Sequence, residues 1–345
     1  MAGPDASASG SLTPGTAPAG SGEDSLIARH FRPLATDPGA FGLTDDAAVL
    51  QAHGEDVVVN ADAIVEGVHF LPDDPSDSIA RKALRVNLSD LAAKGAIPAG
   101  FVLTLALREA RHDWLAEFAR GLGEDIATFG CPLLGGDTVS TPGPLMISVT
   151  AFGRVAPGRM VRRAGAQVGD HLVVTGTLGD AATGLKVLQH SVDTTVLAGD
   201  PAMVAHLVSR YRVPQPRSAL ALAVRNYASA AMDVSDGLAG DLAKLCNVSG
   251  VSATINVPSL PLSAAVQLLY RHGAIGIETA IAGGDDYEIV CAVSDSKLNG
   301  FMREADLAGV AATVIGTITS GHIAPQFIDA QGQPLKLARR SFSHF

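Results

Sequence analysis

The chain has 345 residues, 47% of them apolar, enough to bury a sizeable core and to divide into two domains. A formal net charge of -10 (Asp+Glu 35, Lys+Arg 25), no Lys/Arg run and an aromatic content of 5% argue against nucleic acid as a partner. Apolar runs such as 101–107 fall far short of the roughly 20 residues that a membrane span needs.

Residues 1–22 (MAGPDASASGSLTPGTAPAGSG) lack a basic start and an apolar stretch, so they read as a flexible tail rather than a secretory signal. Cytoplasm is the default location. Cys131, Cys246 and Cys291 sit in apolar contexts at wide spacings, which predicts small core residues and neither a metal site nor a disulfide framework.

The ordered part starts near Glu23, with a short helix over 25–31. Residues 42–50 read as a turn entering a strand, 57–61 as a strand that ends on Asp62, and 65–71 as a further extended segment carrying His69. From Ser76 the period changes to that of a helix, capped at Ser76 or Asp77 and closed by Gly95, with Asn87-Leu88-Ser89-Asp90 at its inner end. A strand over 101–107 and an amphipathic helix over 114–129 follow, with Trp114 a core residue. The run from Cys131 reads as a short strand stopping at Gly135-Gly136-Asp137. A strand over 145–155 leads to the domain junction at Pro157-Gly158.

The second half opens with a strand over 171–175 and the turn Gly176-Thr177-Leu178-Gly179 before a helix over 181–188. That turn lacks the Gly-Lys-Ser/Thr ending of a phosphate loop. Helices near 200–211 and 216–228 precede Met232-Asp233-Val234-Ser235-Asp236-Gly237-Leu238, where a strand gives way to a helix. Two carboxylates this close imply a raised pKa on one or a cation between them. The plainer alternative is that Ser235 or Asp236 caps the helix. Strands over 251–257, 289–293, 312–317 and 323–328 and a helix over 263–272 complete an alternating pattern, so the class is α/β or α+β with two domains.

Acids at predicted strand ends or beside glycine are Asp45, Asp46, Asp62, Asp90, Asp137, Asp233, Asp236, Asp285 and Asp286. Carboxylates without His or Cys partners favour hard cations, above all Mg²⁺ shared with substrate phosphates. Phosphoryl transfer from a nucleoside triphosphate is the natural chemistry. A glycosidase pair would call for sugar-stacking aromatics, which are scarce, while metal-dependent hydrolysis stays open.

Together and in order, Gly42 to Leu50, Asp62 to Leu71, Asn87 to Gly95, Gly135 to Thr138, Gly158 to Gly165, Gly169 to Asp180, Asp233 to Leu238, Gly283 to Glu288 and the closing Ser343-His344-Phe345 resemble the thiamine-monophosphate kinase family. Its superfamily includes aminoimidazole ribonucleotide synthetase and selenophosphate synthetase. The resemblance implies a two-domain synthetase-like fold. An N-terminal domain over 23–156 pairs into a dimeric barrel-like sheet, and a C-terminal α/β domain spans 157–345. It implies a homodimer that moves the ATP γ-phosphate onto thiamine monophosphate, with several Mg²⁺ ions and no membrane or nucleic-acid partner.

Residue by residue, the resemblance makes Asp45, Asp62, Asp90, Asp137, Asp233 and Asp236 the Mg²⁺-binding acids, with Asn60 and Ala61 at neighbouring metal positions, where Ala61 could serve only through its backbone. Gly136, Asp137, Arg163 and Ser235 correspond to ATP contacts. His69 and Asp285 match substrate contacts, Asp285 standing for a longer Glu, and Arg339 stands where the family often has Trp, with Phe342 nearby. No protein base is expected, because a phosphate monoester with a second pKa of about 6 is already mostly dianionic at neutral pH; Asp137 and Asp236 are expected to be the most critical acids. The alternatives are another ATP-dependent synthetase of the superfamily and a nucleotide-binding regulator without turnover.

Overall fold

The computed structural model describes residues 41, 44–45, 48–52, 54–109, 111–338 and 341. The predicted helix over 25–31, Asp46, Arg339, Phe342 and the closing Ser343-His344-Phe345 lie outside the described residues.

The first sheet contains β1 (Ala48–Ala52), β2 (Glu55–Val65), β3 (Ile97–Leu107), β4 (Leu133–Ser140) and β5 (Met146–Val155), in the order β1-β2-β5-β3-β4. Its pairs are antiparallel except β3 with β4. Alternation along the strands sends Val58, Ile64, Leu103, Leu105, Ile147 and Val149 to one face, where they are buried against α1 (Ser76–Ala93) and α2 (His112–Phe129). Val57, Val59, Val102, Thr104, Ser148 and Thr150 point to the opposite face and stay half-exposed.

The second sheet has the order β11-β8-β10-β6-β9-β7. Its strands are β6 (His171–Thr175), β7 (Ala228–Val234), β8 (Ser252–Asn256), β9 (Glu288–Val293), β10 (Ala312–Thr319) and β11 (Gln326–Ile328). β9 is buried along its whole length, which explains its unbroken apolar run. Between these strands come α3 (Asp180–Leu188), α4 (Pro201–Arg212), α5 (Ala221–Tyr227), α6 (Leu238–Ser249), α7 (Ala264–Arg271), α8 (Glu278–Ala282) and α9 (Asp295–Leu307). One face is covered by α6, the other by α5 and α9.

Helix α1 belongs to both halves. Its outer turns pack on the first sheet, while Ala92 and Ala93 join Val173, Ala231 and Ile289 of the second. It therefore buries even Lys82, Arg85, Asn87, Ser89 and Asp90. Sandwiched between two sheets, it carries polar groups that need partners.

Four local expectations change. Strand β2 does not end on Asp62 but runs to Val65, because ten residues of β5 pair with it in register. Residues 66–70 then form a tight turn, closed by Gly67 N–H to the Phe70 carbonyl at 2.8 Å and His69 N–H to that of Val65 at 2.9 Å, instead of an extended run. Strand β4 does not stop at Gly135-Gly136-Asp137 but passes through it to Ser140, since β3 continues the pairing. A Cβ at Gly136 would lie 1.8 Å from the Leu103 carbonyl oxygen, so only glycine lets the two backbones approach there. Neither Ser76 nor Asp77 caps α1, whose N-cap is Pro75.

Candidate phosphoryl-transfer site

Strand β7 delivers Asp233 and Val234 to the start of α6, and the loop between is held from two sides. Asp241, fully buried in the first turn of α6, accepts the N–H of Ser235 at 3.0 Å and of Asp236 at 2.9 Å. From the other side, Asp285 N–H donates to the Ser235 carbonyl at 2.7 Å and Tyr287 N–H to that of Val234 at 2.8 Å. Gly237 is the N-cap, with φ of 108°, and a Cβ there would lie 2.8 Å from the Ala282 backbone. Neither Ser235 nor Asp236 is thus the helix cap. Their side chains are left for other work, and the Asp236 carboxylate meets Lys244 Nζ at 2.6 Å.

Around Asp233, three elements bring polar groups to one buried point. Asn60 of β2 donates through Nδ2 to the Asn87 carbonyl at 3.2 Å, to Asn87 Oδ1 at 3.1 Å and to Asp90 Oδ2 at 3.0 Å. Asn87 Oδ1 also accepts the Asp62 N–H at 3.1 Å, locking β2 onto α1. Burial, followed by the charges of Asp233 and Asp62, holds the Asp90 carboxyl well above the usual carboxylate range, with Lys94 and Asn60 pulling the other way. Burial likewise pushes Asp233 up to about 6, opposed by the Ser89 hydroxyl and reinforced by Asp241 and Asp62. Lys94, fully buried just beyond α1, bonds Asp45 Oδ1 at 2.8 Å and the Ala231 carbonyl at 3.0 Å. Arg163 offers its backbone N–H to Asp45 at 3.0 Å, and its charge acts on Asp241 and Lys244.

A second corner lies on the same loop system. Lys82 bonds Asp285 at 2.9 Å and lies 4.0 Å over the Tyr211 ring, while Tyr211 Oη reaches the His69 carbonyl at 3.4 Å. The His69 ring accepts the Val65 N–H through Nδ1 at 3.0 Å, which fixes its tautomer. His69 and Asp285, far apart in sequence, are thus joined through Lys82 and Tyr211.

Asp137 is not brought to the cluster within one chain. Asp62 pairs with Val149, Val149 with Leu103 and Leu103 with Gly136, which puts Gly136 three strands, about 14 Å, from Asp62. Asp137 shares its row with Thr104, Ser148 and Ala63 and so points to the half-exposed opposite face. Ala61 points to that face too, opposite Thr150. Asp286 is excluded from the site for a different reason: its buried carboxylate accepts the Gly179 N–H at 2.9 and 3.0 Å, filling the turn that resembles a phosphate loop.

The donor set suits Mg²⁺. Asn60 Oδ1 is buried with no hydrogen-bond partner among the described residues, beside carboxylates that burial and mutual repulsion disfavour as bare anions. Among the described residues, no three carboxylate, imidazole or thiolate side chains enclose an ion by themselves. Mg²⁺ commonly takes one or two carboxylates and completes its shell with phosphate oxygens and water. The residues absent from the sequence-based expectation are Asp241, Lys82, Lys94 and Lys244. Lys94 was traceable, since Asn87, Asp90 and Lys94 share one helical face at spacings of three and four.

Residues 44–155 match the AIR synthase related protein N-terminal domain and residues 167–326 its C-terminal domain. A thiamine-monophosphate kinase of Caulobacter vibrioides is 44% identical over 301 residues, 86% of this chain and 83% of the relative. That of Salmonella typhimurium is 37% identical over 94% of this chain and 98% of its own length. The structure of AaThiL complexed with AMPPCP and TMP superposes with a TM-score of 0.77 at 29% identity, covering 89% of this chain and 97% of that one. A Stenotrophomonas maltophilia thiamine-monophosphate kinase structure gives 0.74 at 39% identity, covering 90% and 96%. The chain belongs to the thiamine-monophosphate kinase family, within the AIR synthase related proteins.

Proposed function

We propose that this protein transfers the γ-phosphoryl group of ATP to thiamine monophosphate, forming thiamine diphosphate by direct in-line transfer. The observation that carries the reading is the convergence of Asp62 and Asp233 on Asp90, whose carboxylate accepts from Asn60 Nδ2 while the buried Asn60 Oδ1 has no hydrogen-bond partner among the described residues. Asp62, Asp90, Asp233 and Asp236 would hold Mg²⁺, with Asn60 Oδ1 as a neutral donor. Bound Mg²⁺ supplies screening of the repulsion between two phosphates and neutralises charge developing in transfer.

The chain's own residues position the reactants. Ser235, in the loop pinned by Asp241, and the Arg163 guanidinium contact ATP, and Arg163 stabilises the transferring group. The His69 and Asp285 corner receives thiamine monophosphate, with Arg339 as a further contact. No side chain is assigned as base, because the acceptor phosphate is already ionised.

The same reading makes the protein a homodimer. The half-exposed face of the first sheet and the exposed Leu133, Leu134 and Val139 on edge strand β4 are an apolar surface that a second copy covers, closing a barrel-like sheet. Asp137 and Gly136 then serve the site of the partner copy, and Asp45, already held by Lys94, lies at the margin of the metal set. The domains are 23–156 and 157–345, after a tail over 1–22, and the enzyme works in the cytoplasm, where ATP and thiamine monophosphate meet.

An ADP-release assay with Mg²⁺, comparing thiamine monophosphate with thiamine and with aminoimidazole precursors, tests the reading. Turnover confined to thiamine monophosphate supports it; turnover with an aminoimidazole substrate assigns another synthetase, and none with any acceptor leaves a binding protein.

A further inference from the structure

Three of the acids assigned above each carry a lysine: Asp45 has Lys94 at 2.8 Å, Asp285 has Lys82 at 2.9 Å and Asp236 has Lys244 at 2.6 Å. Their surroundings separate them. The Lys94 and Lys82 side chains are 0% and 2% exposed and are tied to a second group, the Ala231 carbonyl and the Tyr211 ring, so they are fixed countercharges. The Lys244 side chain is 30% exposed and its carboxylate partner Asp236 is 29% exposed, so this ammonium has room to leave. Its second contact, Asp241 Oδ1 at 3.3 Å, is long. Asp241 keeps its two backbone hydrogen bonds whether or not Lys244 is present, because Oδ2 accepts both.

An ammonium on Asp236 Oδ2 competes with any divalent ion for the same oxygen. It also sits near Arg163, with which it repels, and would gain from an anion placed between them. We infer that Lys244 is a positioning residue that holds Asp236 in the metal-free protein and moves onto a phosphate oxygen of the nucleotide when the metal takes Asp236. It is a placeholder cation: it holds the Asp236 carboxylate in place before binding, while Asp241 orders the loop, and then adds to nucleotide affinity. The inference rests on the metal assignment above.

Its test separates the two. Mn²⁺ binding to the nucleotide-free protein is measured by electron paramagnetic resonance of free Mn²⁺, for the wild type, Lys244→Met, Lys244→Arg and Asp236→Asn. Lys244→Met is expected to bind Mn²⁺ roughly two- to fivefold more tightly, the worth of one partly exposed ion pair. In steady-state assays the same variant shows a KM for ATP raised about tenfold, and Lys244→Arg stays near the wild type in both measurements. Unchanged or weaker Mn²⁺ binding in Lys244→Met, with a wild-type circular dichroism spectrum, overturns the inference. If Lys244→Met does not fold, Lys244→Gln is read in its place by the same criteria. A wild-type protein that binds no Mn²⁺, or an Asp236→Asn variant that binds it normally, overturns the metal assignment and the placeholder role with it.

Discussion

Asp241 holds Asp236 by its backbone: one buried carboxylate oxygen accepts the N–H of Asp236 at 2.9 Å and that of Ser235 at 3.0 Å. An acid absent from the sequence-based expectation therefore sets the path of the loop on which the proposed ATP and metal contacts sit. Asp241→Asn keeps a carbonyl acceptor and removes a charge that burial already disfavours, so the variant folds. Its kcat should fall by about ten- to a hundredfold, since small misplacement of a phosphoryl-transfer loop is costly. Asp241→Leu leaves two donors unbonded and should lose about 2–4 kcal/mol in urea unfolding.

Lys94 and Asp45 form a buried pair at 2.8 Å, with Arg162 more distant from the same carboxylate at 3.9 Å. Lys94→Met should destabilise the protein by about 3 kcal/mol, because it removes the buried ammonium from a carboxylate that is 2% exposed. A shift of the urea midpoint by less than a third of that would mean that Asp45 finds other compensation.

The separation of Asp137 from Asp62 makes a prediction about subunits. Asp137→Asn and Asp236→Asn homodimers should each be inactive. Mixed after unfolding and refolding together, they should recover about a quarter of wild-type activity, since half the dimers are mixed and each holds one complete site. No recovery on mixing would place Asp137 in the site of its own chain or outside the mechanism.

His206 of α4 and Asp180 of α3 give a pH dependence away from the proposed metal site. The hydrogen bond to Asp180 at 3.1 Å raises the His206 pKa above its ordinary 6.5, against a smaller opposing effect of burial. Burial acts to raise that of Asp180, but bonds from His206, Ser263 and Thr177 outweigh it and bring it below 3.8. The histidine contribution is complete below pH 6.5 and is lost as pH rises through the raised value; the aspartate contribution is complete above 3.8 and is lost as pH falls through the lowered one. The Tm difference between wild type and His206→Gln should therefore be larger at about pH 5.5 than at about pH 8.5. Equal differences at both would show that the pair is not ionised.

The elements were legible where one face of an element sets the pattern. The alternation in 57–61 and 145–155 and the period of 76–93 are the direct imprint of a core on one side. The extent of β4 was not, because Gly135 and Gly136 signal a break in sequence while the close approach to Leu103 that requires glycine is a tertiary fact. Asp62, Asp90 and Asp233 were findable, since acids in apolar, glycine-flanked runs demand a reason. Lys82 and Lys244 carry no such signal, because a lysine in a helix reads as solvated surface. Only the packing of α1 between two sheets, and of Lys244 against Asp236, reveals otherwise.

The proposed function places phosphoryl transfer between ATP and thiamine monophosphate on the Asp233-Val234-Ser235-Asp236 loop. Its most direct test is phosphorus NMR of the purified protein incubated with ATP, Mg²⁺ and thiamine monophosphate, beside the Asp236→Asn variant. The wild type should yield thiamine diphosphate and ADP in equal amounts, and the folded variant neither. Orthophosphate in place of thiamine diphosphate, or undiminished product from Asp236→Asn, would contradict it.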